Sequence, residues 1–147
     1  MIIAVDPGKT TGIACLSDAG HFSAFAHSYD VALDYVMDSV TNIWIHPKLT
    51  VVIEDFIISE RSGKTGTANW RRGMELEFIG AARWMCKKHD VRFVLQTAQQ
   101  AKTFSTDAKL KRVGWWTKGT DHPRDAARHL LLYMTKNGLV DPTSLVG

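Results

Sequence analysis

Cysteine is scarce in this chain of 147 residues: there are two, Cys15 and Cys86, each among apolar neighbours. That excludes a disulfide-stapled scaffold and a cysteine-based metal site, and it predicts buried free thiols in a reducing, cytoplasmic compartment. Four prolines and 11 glycines are too few for a collagenous or low-complexity chain. No apolar run approaches the roughly 18 to 20 residues of a membrane span, so no membrane association is expected. The opening Met1-Ile2-Ile3-Ala4-Val5 carries no basic segment or cleavage site and reads as a strand. With 45% hydrophobic and 22% charged residues, the composition is that of one packed domain over residues 1–147.

Positive charge is nearly absent from residues 1–60, which hold two Lys or Arg (Lys9 and Lys48) against eight acids. Residues 61–118 reverse the balance, with thirteen against four, and the net charge of +3 conceals the split. A basic middle beside an acidic start fits a polyanion surface next to a carboxylate-rich site, although solvated Lys and Arg faces would give the same total.

Turn residues divide the first third into Ile2–Asp6, Gly12–Leu16 and His21–His27, which predicts three antiparallel strands with a hairpin at Asp18-Ala19-Gly20. Apolar residues recur at helical spacing from Asp30, an N-cap type, to Trp44, before His46-Pro47. Thr50–Glu54 reads as a strand, residues 56–72 as an aperiodic basic loop, Met74–Lys88 as a helix and Val91–Leu95 as a strand. A short helix over Thr97–Phe104 and a basic stretch over Ser105–Thr120, containing Trp115-Trp116, follow. A last helix spans Asp121–Asn137, with Pro123 in its first turn and Gly138 just beyond its end. The order β-β-β-α-β-α-β-α-α predicts an α/β fold: a mixed five-stranded sheet, antiparallel at one edge and parallel elsewhere, flanked by helices.

Gly8-Lys9-Thr10 and Gly63-Lys64-Thr65 suggest a phosphate-binding loop, but the Gly required five positions earlier is Ile3 or Ile58. The acids are more informative. Asp6 and Glu54 each close an apolar strand, where a carboxylate is costly to bury and either caps a turn or binds a cation. In a sheet of this order the ends of those strands lie side by side. Asp121, His122 and Asp125 open the last helix, with His122 and Asp125 at i,i+3 and Asp121 and Asp125 at i,i+4. Asp121 also suits an N-cap. Several hard oxygen ligands without a Cys cluster favour Mg²⁺ or Mn²⁺ over zinc.

The turn Asp6-Pro7-Gly8-Lys9-Thr10-Thr11-Gly12 between two apolar strands, the strand ending Val52-Ile53-Glu54, and the helical His122-Pro123-Arg124-Asp125-Ala126-Ala127 together resemble the RuvC family of Holliday junction resolvases. The resemblance spans nearly the whole chain in element order, and the compact size is similar to that of bacteriophage-encoded members. It implies an RNase H-like fold and a metal-dependent endonuclease acting on branched DNA, the four-way junction above all, as a homodimer. Asp6, Glu54, Asp125 and His122 take the positions of the catalytic and metal-binding residues, with two ions expected per site. The family's aromatic wedge, three residues beyond the glutamate, falls on Ile57, with Phe56 one earlier. The expected DNA-binding set is then Lys9, Phe56, Ile57, Arg61, Lys64, Arg71, Arg72, Lys102, Lys109, Lys111, Arg112 and Lys118. The alternatives are another RNase H-fold nuclease, acting on flaps, forks or RNA/DNA hybrids, and an inactive nucleic-acid-binding module. A sugar-kinase or actin-like reading of the glycine turn requires two lobes and well over twice this length.

Overall fold

The computed structural model describes residues 1–42, 44–56 and 66–145, with residues 66–72 described by their backbone alone. Five strands, β1 (Ile2–Asp6), β2 (Thr10–Leu16), β3 (Phe22–Ser28), β4 (Thr50–Asp55) and β5 (Arg92–Thr97), form one sheet in the order β3-β2-β1-β4-β5. The β1–β2 and β2–β3 pairs are antiparallel, and the β1–β4 and β4–β5 pairs are parallel. The parallel pairs are joined through the helices α1 (Tyr29–Thr41) and α2 (Gly66–Lys88). The chain closes with α3 (Ala98–Phe104), α4 (Asp107–Arg112), α5 (Asp121–Lys136) and a 3-10 turn at Pro142–Leu145. Among the described residues no helix is long and apolar enough to cross a membrane.

Strand alternation sorts the side chains into two layers. Ile3, Val5, Ile13, Cys15, Val51 and Ile53 point to one face, where α1 and α2 supply Ala32, Val36, Val40, Phe78, Ala82 and Cys86. The residues between them are smaller: Ala4, Ala14 and Val52 face α5, meeting Ala126, Ala127, Leu130 and Leu131, with Leu110 of α4. Small residues beneath α5 let that helix lie close on the sheet. Because Asp6 follows Ala4 by two positions and Glu54 follows Val52 by two, alternation aims both carboxylates at the α5 face. Both cysteines are free and buried.

The expected strands and the hairpin at Asp18–Gly20 are present, and α5 ends with Asn137 followed by Gly138 at φ 69°. Four expectations need correction. The aperiodic loop assigned to residues 56–72 is helical from Gly66, because α2 begins two turns before its apolar periodicity does. The stretch 105–120 contains α4, which buries only Leu110 and therefore has no periodicity to read. Helix α1 stops at Thr41, short of Trp44. The N-cap positions are Ser28 and Thr120, which puts Asp30 and Asp121 inside the first turns, where negative charge still suits the helix dipole.

Candidate active site

Asp6 and Glu54 stand at the carboxyl ends of adjacent parallel strands, one residue beyond the paired Val5 and Ile53. The amino end of α5 reaches them because β2 carries a glycine opposite Asp6. A Cβ on Gly12 would lie 2.0 Å from the His122 carbonyl oxygen and 2.9 Å from the Pro123 nitrogen. Only a residue without a side chain lets the helix start settle on the sheet there. His122 then places Nδ1 3.0 Å from Asp6 Oδ2. Asp121, one residue earlier, points outward, is 80% exposed and pairs with Arg124. The structure thus brings His122 to the carboxylates and leaves Asp121 outside.

Asp6, Glu54 and His122 line a cleft of about 410 Å³ together with Pro7, Lys9 and Phe56. Burial is the main force pushing the Asp6 carboxyl up to about 6, and the negative charges of Glu54 and Asp125 add to it while His122 pulls the other way. Asp125 stands about one turn beyond His122 on α5. Its Oδ2 is 3.0 Å from Lys102 Nζ, and its Oδ1 is 3.1 Å from Arg128 Nε. The Lys102 ammonium is pushed upward chiefly by its bond to Asp125, with help from the charges of Glu54 and Asp6. The three carboxylates therefore share one negative field.

Sequence reasoning missed several partners. Arg128 donates from Nη1 to the Ser105 carbonyl at 2.7 Å and from Nη2 to Asp107 Oδ1 at 2.5 Å, while Ser105 Oγ donates to the Arg128 carbonyl at 2.8 Å. One guanidinium thus fastens the α3–α4 turn to α5 and holds Asp125. Glu54 Oε2 lies 2.9 Å from Nε2 of His129, a buried residue whose Nδ1 is 3.1 Å from Gln96 Oε1. The available signal was spacing: Arg128 and His129 follow Asp125 by three and four residues, on its helix face.

Of the expected DNA-binding residues, Lys9 is exposed beside the cleft, and Lys111, Arg112 and Lys118 are exposed on the segment before α5. Lys111 lies over the Trp116 ring. Lys109 is turned inward, donating to the Phe104 carbonyl at 2.8 Å across the Phe104 ring. Phe56 is half-buried at the cleft and packs on the α1/α2 core. Ile57, Arg61 and Lys64 lie outside the described residues, as do the side chains of Arg71 and Arg72.

Among the described residues no three His, Cys, Asp or Glu side chains are gathered as the ligands of one ion. The donor chemistry nevertheless fits a hard divalent cation. The donors are carboxylate oxygens, and a cation would cancel the penalty on the charged form of Asp6.

That penalty gives a stability prediction with a definite sign. A carboxyl raised from its ordinary value of 3.8 to about 6 binds more protons folded than unfolded between those values. The ion-free protein therefore loses stability as pH climbs through that window. Asp6→Asn is expected to raise Tm at pH 7.5 in chelator, with the gain shrinking towards pH 4, in a calorimetric pH series.

No protein-family model matches the chain, and no curated protein matches its sequence. Solved structures do. Thermus thermophilus RuvC in complex with a Holliday junction substrate superposes with a TM-score of 0.57 at 14% identity, over 94% of each chain. A second Thermus thermophilus RuvC structure gives 0.54 at 15% identity, covering 93% of this chain and 96% of that one. The mixed five-stranded sheet flanked by helices is therefore a RuvC-like, RNase H-like fold.

Proposed function

We propose that this protein is a divalent-metal-dependent endonuclease that resolves four-way DNA junctions by paired nicks. The observation that carries the reading is one cleft lined by Asp6, Glu54 and His122, with Asp125 near enough for its charge to act on Asp6, in a fold shared with a RuvC bound to a Holliday junction.

Asp6, Glu54 and Asp125 would hold Mg²⁺ or Mn²⁺, two ions when the site is full. The metal would acidify the attacking water and neutralise charge on the scissile phosphate and its leaving oxygen. Asp6 orients His122 through Nδ1, so proton exchange with the cleft falls to Nε2 on the half-exposed ring. Lys102, paired with Asp125, and Lys9, which lines the cleft, would supply positive charge where a phosphodiester is otherwise repelled. The exposed Lys111, Arg112 and Lys118 would grip backbone phosphates and make binding steeply salt-dependent. The products would carry 5′-phosphate and 3′-hydroxyl ends.

Paired nicking requires two sites related by two-fold symmetry, which a homodimer provides. Leu76 and Trp84 of α2 are exposed by 42% and 60%. They flank Gly80, which has open space at its Cβ position, and the i+4 spacing sets all three along one strip of the helix. That strip suits a second copy.

A synthetic four-way junction tested against flap, fork and RNA/DNA hybrid substrates in Mg²⁺ or Mn²⁺ decides the reading. Symmetric paired nicks in the junction are expected. Preference for a flap or hybrid would keep the chemistry and change the substrate, whereas inertness on every substrate with both metals would remove the nuclease assignment.

A further inference from the structure

We infer that His129 is a positioning residue that fixes the Glu54 carboxylate for its work in the cleft, with Gln96 fixing His129 in turn. The inference deepens the proposed function and rests on the reading of Glu54 as a metal ligand.

Glu54 of β4 and Gln96 of β5 are direct partners in a parallel pair, so their side chains leave the sheet on the same face. That face belongs to α5, where His129 immediately precedes the apolar run from Leu130 to Met134 and is 1% exposed. A buried imidazole is costly unless both ring nitrogens have partners, and here both do: Glu54 at 2.9 Å and the Gln96 amide at 3.1 Å.

The chemistry of the two contacts is ordered. A carboxylate only accepts, so Nε2 must carry a proton and donate to Glu54. Nδ1 lies 3.1 Å from Gln96 Oε1, and this second contact holds the plane of the ring. Gln96 thereby fixes the orientation of the ring, and that orientation sets which nitrogen meets the glutamate. With Oε2 occupied, Glu54 keeps its other oxygen for the cleft that it lines. Residues that orient a ligating carboxylate typically change metal affinity by about 10–100-fold when removed.

Mn²⁺ titration followed by electron paramagnetic resonance, with Tm and metal-free junction binding measured alongside, tests this in wild type, Glu54→Gln, His129→Leu and His129→Gln. Wild type should bind Mn²⁺ through Glu54. His129→Leu should lose about 10–100-fold in Mn²⁺ affinity while binding the junction without metal as wild type does. His129→Gln places an amide nitrogen near the position of Nε2 and should regain most of that affinity. Should His129→Leu fail to fold, Gln96→Met leaves the imidazole in place without its second partner, and its Mn²⁺ affinity should fall instead. Wild-type affinity in a folded His129→Leu or Gln96→Met variant overturns the inference, as does an equal loss in His129→Leu and His129→Gln. Mn²⁺ binding that Glu54→Gln leaves unmoved removes Glu54 from the metal site and this inference with it, and that failure shows in the Glu54 arm alone.

Discussion

Asp6→Asn, Glu54→Gln and Asp125→Asn are each expected to lower junction cleavage by roughly three orders of magnitude or more, about 4 kcal/mol of transition-state stabilisation. Junction binding without metal should be unchanged or tighter. Both effects would have one cause, because each carboxylate would attract the cation and repel the scissile phosphate. The variants should differ in stability. Asp6→Asn relieves a buried charge already disfavoured by its neighbours, so Tm should rise at neutral pH. Asp125→Asn takes a charged partner from Lys102 and Arg128, both of which contact it within about 3 Å, so Tm should fall. Single-turnover rates on a labelled junction, binding in chelator and thermal melts separate these outcomes. Nicking at the wild-type rate by Asp6→Asn or Glu54→Gln would remove the site as placed.

Where the sequence was legible, the reason was local. Strands β1 and β4 announce themselves through short apolar runs that end in Asp6 and Glu54, and period-2 alternation then settles which face those acids take. Helix α5 was legible at both ends, through Pro123 and Gly138. The α4 helix was not, since a six-residue helix with Leu110 as its buried residue presents no apolar stripe. Its start is held by Thr106 Oγ1 accepting from the Lys109 nitrogen at 3.4 Å, a capping signal easily lost among neighbouring polar residues.

The contacts behind the carboxylates were hidden for a different reason. His129 and Glu54 are 75 residues apart in sequence, and His129 and Gln96 are 33 apart. No spacing rule links them until the parallel register of β4 and β5 is known. Asp121 and His122 were equally plausible neighbours of Asp125 by helical spacing. What separates them is the approach of α5 to the sheet, a tertiary fact that the Asp6 to Gly12 turn contains but does not display.

That approach can be broken at one atom. Gly12→Ala puts a methyl group 2.0 Å from the His122 carbonyl oxygen and 2.2 Å from its carbonyl carbon. Both are backbone atoms, so no rotamer change relieves the clash and either the start of α5 or β2 must move. Overpacking typically costs about 1–3 kcal/mol, and a backbone clash belongs at the upper end. At this chain length roughly 3 kcal/mol lowers Tm by about 6–12 °C. Cleavage should fall as well, because the displaced segment carries His122. His122→Ala should lose about 10²–10⁴-fold in rate, the usual range for a proton-transfer group, with little change in Tm. If the two changes act through the same imidazole, Gly12→Ala and His122→Ala combined should lose far less rate than the product of the single losses, while their Tm effects add. A Gly12→Ala protein with wild-type Tm and rate would show that α5 does not depend on this contact, and multiplicative rate losses would show that Gly12 acts on cleavage by a route other than His122.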